Sequence, residues 1–180
     1  KIKKKHWTHS IELTDNLKTI ESDLRTNVSP VRKMLSKIDL KGLKCLDIGT
    51  RDGGTAFEME KRGASRVLAT DIEQREQFML AHKYLDSNVE YITDCHVYDL
   101  EKKVKEKNEF WDVIILAGVL YHIYDVFGTI AQVRNLLKPG GLLIMETAAI
   151  EHQEISMYFN ANGYFYNEPF TYWLPTTPCL

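Results

Sequence analysis

The sequence predicts an α/β domain, a doubly wound and mostly parallel sheet held between helices in three α/β/α layers. Two observations predict it. Across residues 41–148, apolar runs of four to seven residues alternate with stretches at helical spacing, the change of period that repeated βαβ units produce. The runs WDVIILA and LLIME are almost uninterrupted, as in parallel strands covered on both faces. Right-handed crossovers between such strands wind the chain into a Rossmann-like sheet whose ligand site lies outside the carboxyl ends of the strands.

Each element has its own signal. Residues 1–40 contain HWTHSIEL, TDNLKTIESDL and, after Pro30, a short amphipathic piece with Val31, Met34, Leu35 and Ile38. They read as a cover segment over the core. The first strand spans Lys44–Ile48, and residues 55–62 follow as a helix with Ala56, Phe57 and Met59 on one side, ended by Gly63. Strands over Arg66–Thr70 and 89–93 flank a helix over 74–85. Residues 94–108 carry the charge run EKKVKEK, a solvated face. After the strand Trp111–Ala117, Asp125 caps a helix with Val126, Phe127, Ile130, Val133, Leu136 and Leu137 at spacings of three and four, stopped by Lys138, Pro139, Gly140 and Gly141. Residues 142–146 form the fifth strand, which closes a cofactor-binding core over 41–150. Residues 151–180 turn aromatic, with Tyr158, Phe159, Tyr164, Phe165, Tyr166, Phe170, Tyr172 and Trp173, and suit the substrate side of the site.

Composition narrows the function classes. A formal charge of −2 favours no polyanionic partner, and the KIKKK cluster at Lys1 to Lys5 reads as a solvated end. The chain shows neither the ~18-residue apolar run of a membrane span nor a signal peptide, so a cytoplasmic enzyme is expected. Cys45, Cys95 and Cys179 are widely spaced and form no CxxC, while His6 and His9 lack neighbouring ligands. No metal and a reducing compartment follow as expectations.

The stretch KCLDIGTRDGG, Lys44 to Gly54, joins the first strand to the first helix. Gly49, Gly53 and Gly54 give the turn freedom at positive φ or at close approach, and the helix start presents free N–H groups to an anionic ligand. A nucleotide-like cofactor fits. A dinucleotide fingerprint would need GxGxxG, whereas here Asp47 precedes Gly49 and Arg51 stands at the second glycine position.

Asp47-x-Gly49-x-x-x-Gly53, an acid after the second strand (Asp71) and another after the third (Asp94) together resemble the class I S-adenosylmethionine-dependent methyltransferases. The resemblance implies S-adenosylmethionine as cofactor. It places Asp47, Gly49 and Gly53, with Thr50 and Arg51, around the methionine moiety, and Asp71 with Ile72 at the ribose. Asp94 would hold the adenine amino group beside Cys95, and Ala117 and Gly118 would floor the site. It also implies final antiparallel strands that complete the sheet, and these are expected to be missing from this sequence, as in a piece of a longer chain.

GVLYH followed by PGG-x-L-x-x-ET and YWLPTTPCL is similar to a narrower group, the tRNA wobble-uridine methyltransferases and carboxymethyltransferases. Tyr121 and His122 of GVLYH stand where methyl group and acceptor meet; His122 is the candidate base and Tyr121 a cofactor or substrate contact. A carboxylated donor and tRNA would require extra cations. Here Ile123 and Tyr124 follow the histidine where those enzymes carry arginine, and only KIKKK stands in for a basic RNA-binding domain. The expectation is therefore methyl transfer to a small molecule or sugar, with the tRNA reaction and a non-catalytic cofactor-binding module of a longer protein as alternatives.

Overall fold

Period-two burial along one strand organises the molecule. In the computed structural model, Val113, Ile115 and Ala117 of the strand Trp111–Ala117 join one buried cluster and Ile114 and Leu116 the other. Successive side chains of a strand point to opposite faces, so an apolar run is what a sheet covered on both sides requires. The structure describes residues 6–21, 28–104, 109–165 and 167–180. The KIKKK cluster, the end of TDNLKTIESDL, the second half of EKKVKEK and Tyr166 lie outside the described residues.

In chain order, a hairpin of β1 (Glu12–Thr14) and β2 (Leu17–Lys18) precedes α1 (Val28–Leu35), then β3 (Lys44–Ile48), α2 (Gly54–Lys61), β4 (Arg66–Thr70), α3 (Glu76–Leu85) and β5 (Glu90–Ile92). There follow α4 (Leu100–Val104), β6 (Trp111–Ala117), α5 (Val126–Leu136), β7 (Leu137–Glu146), β8 (Met157–Phe159) and β9 (Trp173–Pro175). The main sheet has the order β5-β4-β3-β6-β7, every pair parallel. Chain order reverses between β3 and β6, the switch point at which such a sheet leaves a crevice. Among the described residues the sheet ends at β7.

One face of the sheet packs α2 and α3 through Phe57, Met59, Phe78 and Ala81; the other packs α4 and α5 through Leu100, Val104, Val133 and Leu136. The three layers of the sequence reading are present. The cover segment is part of the first core, since Trp7, Ile11, Leu13, Val31 and Leu35 are buried in it.

Helices α2 and α3 differ from the sequence reading by one or two residues at their ends, and two further boundaries differ for a clear structural reason. Asp125 caps α5 by accepting the Gly128 N–H at 2.8 Å, but Leu137 leaves the helix and pairs with Trp111 as the first residue of β7. Pro139 cannot continue a helix and forces the residue before it into extended backbone, so the strand begins early. The register between β6 and β7 then shifts, from Trp111 opposite Leu137 to Val113 opposite Leu142, and the surplus is taken up by the bend through Gly140 at φ 79°. The third strand is shorter than residues 89–93, because pairing with β4 ends at Ile92 and Asp94 takes a positive φ of 54°.

The aromatic tail is a second small antiparallel sheet, β8 with β9. It is tied to the main sheet's upper rim. The Tyr172 N–H donates to the Tyr121 carbonyl at 2.7 Å, and the Trp173 indole N–H to the Tyr124 carbonyl at 3.0 Å. No described helix is long and apolar enough to cross a membrane.

Candidate active site

The turn after β3 is built by the protein's own contacts. Gly49 and Thr50 both donate their N–H groups to the Thr70 carbonyl at 2.9 Å, which folds the turn over the end of β4. Gly49 has φ 71°, and a Cβ there would lie 2.4 Å from Val119. A Cβ on Gly53, at φ 89°, would lie 2.3 Å from the Phe57 ring, and one on Gly54 2.7 Å from the His9 side chain. Packing against Val119, Phe57 and His9 thus accounts for all three glycines. Arg51, at the second glycine position, adopts φ 52°, a left-handed conformation that an L-residue other than Gly, Asn or Asp rarely takes.

Polar bonds hold this strained turn. The Arg51 N–H donates to Asp71 Oδ2 at 2.8 Å, and its Nε donates to the Thr8 hydroxyl at 2.6 Å. Asp52, buried, accepts the N–H groups of both Thr8 and His9, the latter at 3.1 Å. The Gly54 N–H at the start of α2 donates to His9 Nδ1 at 3.2 Å, so His9 carries its proton on Nε2. Residues Thr8 and His9 of the N-terminal segment are thereby strapped across the turn.

Above the carboxyl ends of β3, β4, β6 and β7 lies a cavity of about 700 Å³. One end is walled by Asp71, Ile72, Arg75, Cys95, His96 and Val97, the other by Gly118, Tyr121, His122, Ile123, Glu146 and Ala148. Thr8, His9, Gly49, Arg51 and Ala117 line the space between the sheet and the strap. Of the residues read from the sequence as cofactor or acceptor contacts, Gly49, Arg51, Asp71, Ile72, Cys95, Ala117, Gly118, Tyr121 and His122 meet in this one cavity.

Four others do not line it. Asp47 is buried within β3 and accepts the Thr50 hydroxyl at 2.7 Å, so both side chains brace the turn from inside. Burial pushes the Asp47 carboxyl up to about 7, and the nearby Asp71 adds to this, while the Thr50 hydroxyl and the Ala56 N–H act in the opposite direction. Gly53 is filled against Phe57. The Asp94 side chain points to solvent and pairs with Lys103 at 3.0 Å, because the positive φ at Asp94 turns the following Cys95 inward instead. Burial raises the Cys95 thiol, which suits a packing surface rather than a thiolate.

Tyr121 and His122 stand at the rim. Burial raises the Tyr121 hydroxyl, Glu146 adds to the rise, and Arg51 opposes it. His122 Nδ1 lies 2.6 Å from the Phe170 carbonyl; a carbonyl only accepts, so Nδ1 is the donor of this bond. Sequence reading placed the segment HWTHSIEL over the acceptor without singling out Thr8 and His9, and it missed Asp52, Arg75, His96 and Glu146. Glu146 had a usable signal, since it closes a strand at the carboxyl end of the sheet. Asp52 had none, because its partners lie more than forty residues earlier in the chain. Among the described residues no group of three or more His, Cys, Asp or Glu side chains is placed to hold a metal ion.

The methyltransferase domain family matches residues 20–175. A tRNA U34 carboxymethyltransferase of Desulfotalea psychrophila is 32% identical over 143 residues, 79% of this chain and 43% of that protein. A protein of the same name from Alteromonas mediterranea is 27% identical over 78% of the chain and 43% of its own length. The chain thus spans less than half the length of these relatives. Among solved structures, a Burkholderia thailandensis 1,6-didemethyltoxoflavin-N1-methyltransferase with bound 1,6-didemethyltoxoflavin and S-adenosylhomocysteine shares the fold, with a TM-score of 0.61 at 19% identity over 89% of this chain and 64% of that one. A parallel sheet with its crevice at the β3–β6 switch point and a family match over most of the sequence lead to one assignment: the chain belongs to the methyltransferase domain family, with the Rossmann-like fold of the class I enzymes whose methyl donor is S-adenosylmethionine.

Proposed function

We propose that the chain transfers a methyl group from S-adenosylmethionine to a small-molecule or sugar acceptor at the Tyr121–Glu146 end of the cavity. The observation that carries this reading is that one continuous space of about 700 Å³ joins the Asp71–Cys95 end to the Tyr121–His122 end. Its size is in the range of ligand pockets, ~300–1,000 Å³, and leaves an acceptor portion beside the cofactor. Asp71 accepts hydrogen bonds from the ribose hydroxyls, Cys95 and Val97 face the adenine, and the turn at Gly49 to Arg51 faces the methionine moiety. Asp47, Thr50 and Gly53 act behind that turn by fixing its shape, and Asp94 acts by turning Cys95 inward.

The chemistry asks little of the protein beyond alignment. Displacement at the methyl carbon is in line and removes the positive charge from sulfur, so a dry cavity that fixes donor and nucleophile contributes roughly 7 to 11 kcal/mol. The strap of Thr8 and His9 and the rim residue Tyr121 form part of the wall of that space. Titration with S-adenosylhomocysteine by calorimetry tests the reading: a micromolar dissociation constant is expected, and no heat from folded protein at high micromolar ligand overturns it.

The names of the relatives favour a second reading, a tRNA uridine as acceptor with a carboxylated donor. Arg51 on the cavity wall would then supply the cation for the donor's carboxylate. That reading predicts tRNA binding that weakens steeply with salt as phosphate contacts release counterions. A salt-independent signal would leave the small acceptor.

A further inference from the structure

Glu146 is the last residue of β7 and lines the acceptor end of the cavity between Gly118 and Ala148. Its carbonyl accepts the Gly118 N–H at 3.1 Å, which fixes the backbone at the point where the side chain leaves the sheet. The side chain is not satisfied in the same way. Oε2 is shut off from solvent and has no hydrogen-bond partner, and no cation pairs with Glu146 among the described residues. An unmet acceptor of this kind costs about 1 to 3 kcal/mol, and more when charged. Burial raises the Glu146 carboxyl, against the pull of the Gly118 N–H, so it holds a proton more readily than a surface glutamate. Glu146 thus lines a ligand cavity with no cation beside it and with one oxygen unmatched behind the wall, a carboxyl group left to meet a donor that arrives with the ligand.

We propose that Glu146 accepts a hydrogen bond from an N–H or O–H of the methyl acceptor and takes that proton as the methyl group is delivered. The inference rests on the methyl-transfer reading and sharpens it. The acceptor's nitrogen or oxygen forms the new bond to the methyl carbon, the carbon–sulfur bond breaks, its electron pair stays on sulfur as a neutral thioether, and the proton ends on the Glu146 carboxylate. The acceptor class follows: a group that carries a dissociable proton, such as a phenol, a sugar hydroxyl or an imide. Tertiary amines and thioethers have no proton to give. His122 is the competing base, but it is exposed on the rim with Nδ1 held by the Phe170 carbonyl, where water screens its partner. Tyr121, raised by burial and by Glu146 itself, is a relay or a wall at this pH and not a base.

Matched pairs of small probes test the proposal by ligand-observed NMR on protein loaded with S-adenosylhomocysteine at pH 8. Phenol is compared with anisole and uracil with 1,3-dimethyluracil. The donor of each pair is expected to bind about tenfold tighter, the effect of one hydrogen bond to a charged group. Glu146→Leu, which removes an orphaned oxygen and keeps the bulk, is expected to abolish the preference and leave S-adenosylhomocysteine affinity within about twofold. Glu146→Gln keeps a weaker, neutral acceptor and is expected to retain about a threefold preference. Equal binding of both probes to the wild-type protein, or a preference that survives in Glu146→Leu or stays at the wild-type level in Glu146→Gln, overturns the proposal. Failure of the wild-type protein to take up S-adenosylhomocysteine overturns instead the methyl-transfer reading on which it rests.

Discussion

The Arg51 peptide N–H reaches the Asp71 carboxylate at 2.8 Å, joining the turn after β3 to the end of β4 across the mouth of the cavity. The bond gives Asp71 two tasks, since one oxygen holds the turn while the other faces the ribose in the proposed reading. Asp71→Ala is expected to lower S-adenosylhomocysteine affinity by about 10- to 100-fold, as loss of hydrogen bonds to a charged group does. Asp71→Asn keeps a carbonyl for the Arg51 N–H and should lose less. Calorimetry on both variants separates the tasks; equal losses would mean that holding the turn is immaterial.

Arg51 itself is strained by its left-handed backbone, at a cost of about 1 to 2 kcal/mol. Arg51→Gly relieves the strain and removes only the side chain, whereas Arg51→Ala removes the side chain and keeps the strain. The glycine variant is expected to melt higher than the alanine variant by several degrees. Both are expected to weaken S-adenosylhomocysteine binding severalfold; unchanged affinity in both would make the side chain a surface group that serves only Thr8.

Gly49→Ala meets two penalties, a φ of 71° and a Cβ 2.4 Å from Val119. A loss of about 2 to 4 kcal/mol of stability in urea is expected. Adding Val119→Ala removes the clash and leaves the dihedral strain, so the double variant should recover part of the loss. Simple additivity of the two single effects would show that the contact is not the cause.

Asp52→Ala leaves the N–H groups of Thr8 and His9 without their acceptor. A destabilisation of about 1 to 3 kcal/mol per buried group is expected, localised in the strap. Amide exchange over residues 6–21 should rise well before that of β3 or β6. Uniform loss of protection throughout the sheet would contradict a strap held mainly by Asp52.

The pH dependence of stability carries a signature of Asp47. Its folded carboxyl is pushed up to about 7 from an ordinary 3.8, so between those values the folded state binds more protons than the unfolded one. Its contribution is fully present below pH 4 and is lost as pH rises through 7. Glu90, Glu109 and Asp112, lowered by Arg66, Lys44 and Lys138, act with the opposite slope, so the comparison must be with Asp47→Asn. Wild type should lose stability relative to that variant from about pH 4 to pH 7 and run parallel to it above; a constant difference would show that Asp47 is not desolvated.

Much of this was legible in local pattern. WDVIILA announces a two-sided strand, and Asp125 with its apolar spacing announces α5, because burial and capping are written in neighbouring residues; LLIME is a strand as read, but an edge one in which only Ile144 is fully buried and Leu142 is exposed. The parallel sheet and the residues that follow its strands were legible too, whereas the strand order was not. The direction of individual side chains was not legible either: Asp94 follows its strand as expected, yet one positive φ sends its carboxylate to Lys103. Nor could spacing show that Thr8 and His9 meet Asp52, or that the glycines of the turn answer to Phe57, Val119 and His9. Those contacts close long loops, and a sequence carries no period for them.

The two-sided burial of β6 has a consequence for how its register is chosen. A strand with one wet face is locked by hydrophobicity, since a slip of one residue would turn its apolar set to water. β6 is apolar on both faces, so such a slip would exchange one core for the other at little cost in burial. What selects the alignment is polar and sits at the two rims: the Asp112 carboxylate receives the Lys44 N–H at 3.0 Å at one end, and the Glu146 carbonyl receives the Gly118 N–H at the other. Errors of threading in this sheet are thus opposed at both ends of its strands, by Gly118 and Glu146 beside the cavity and by Lys44 and Asp112 at the far rim.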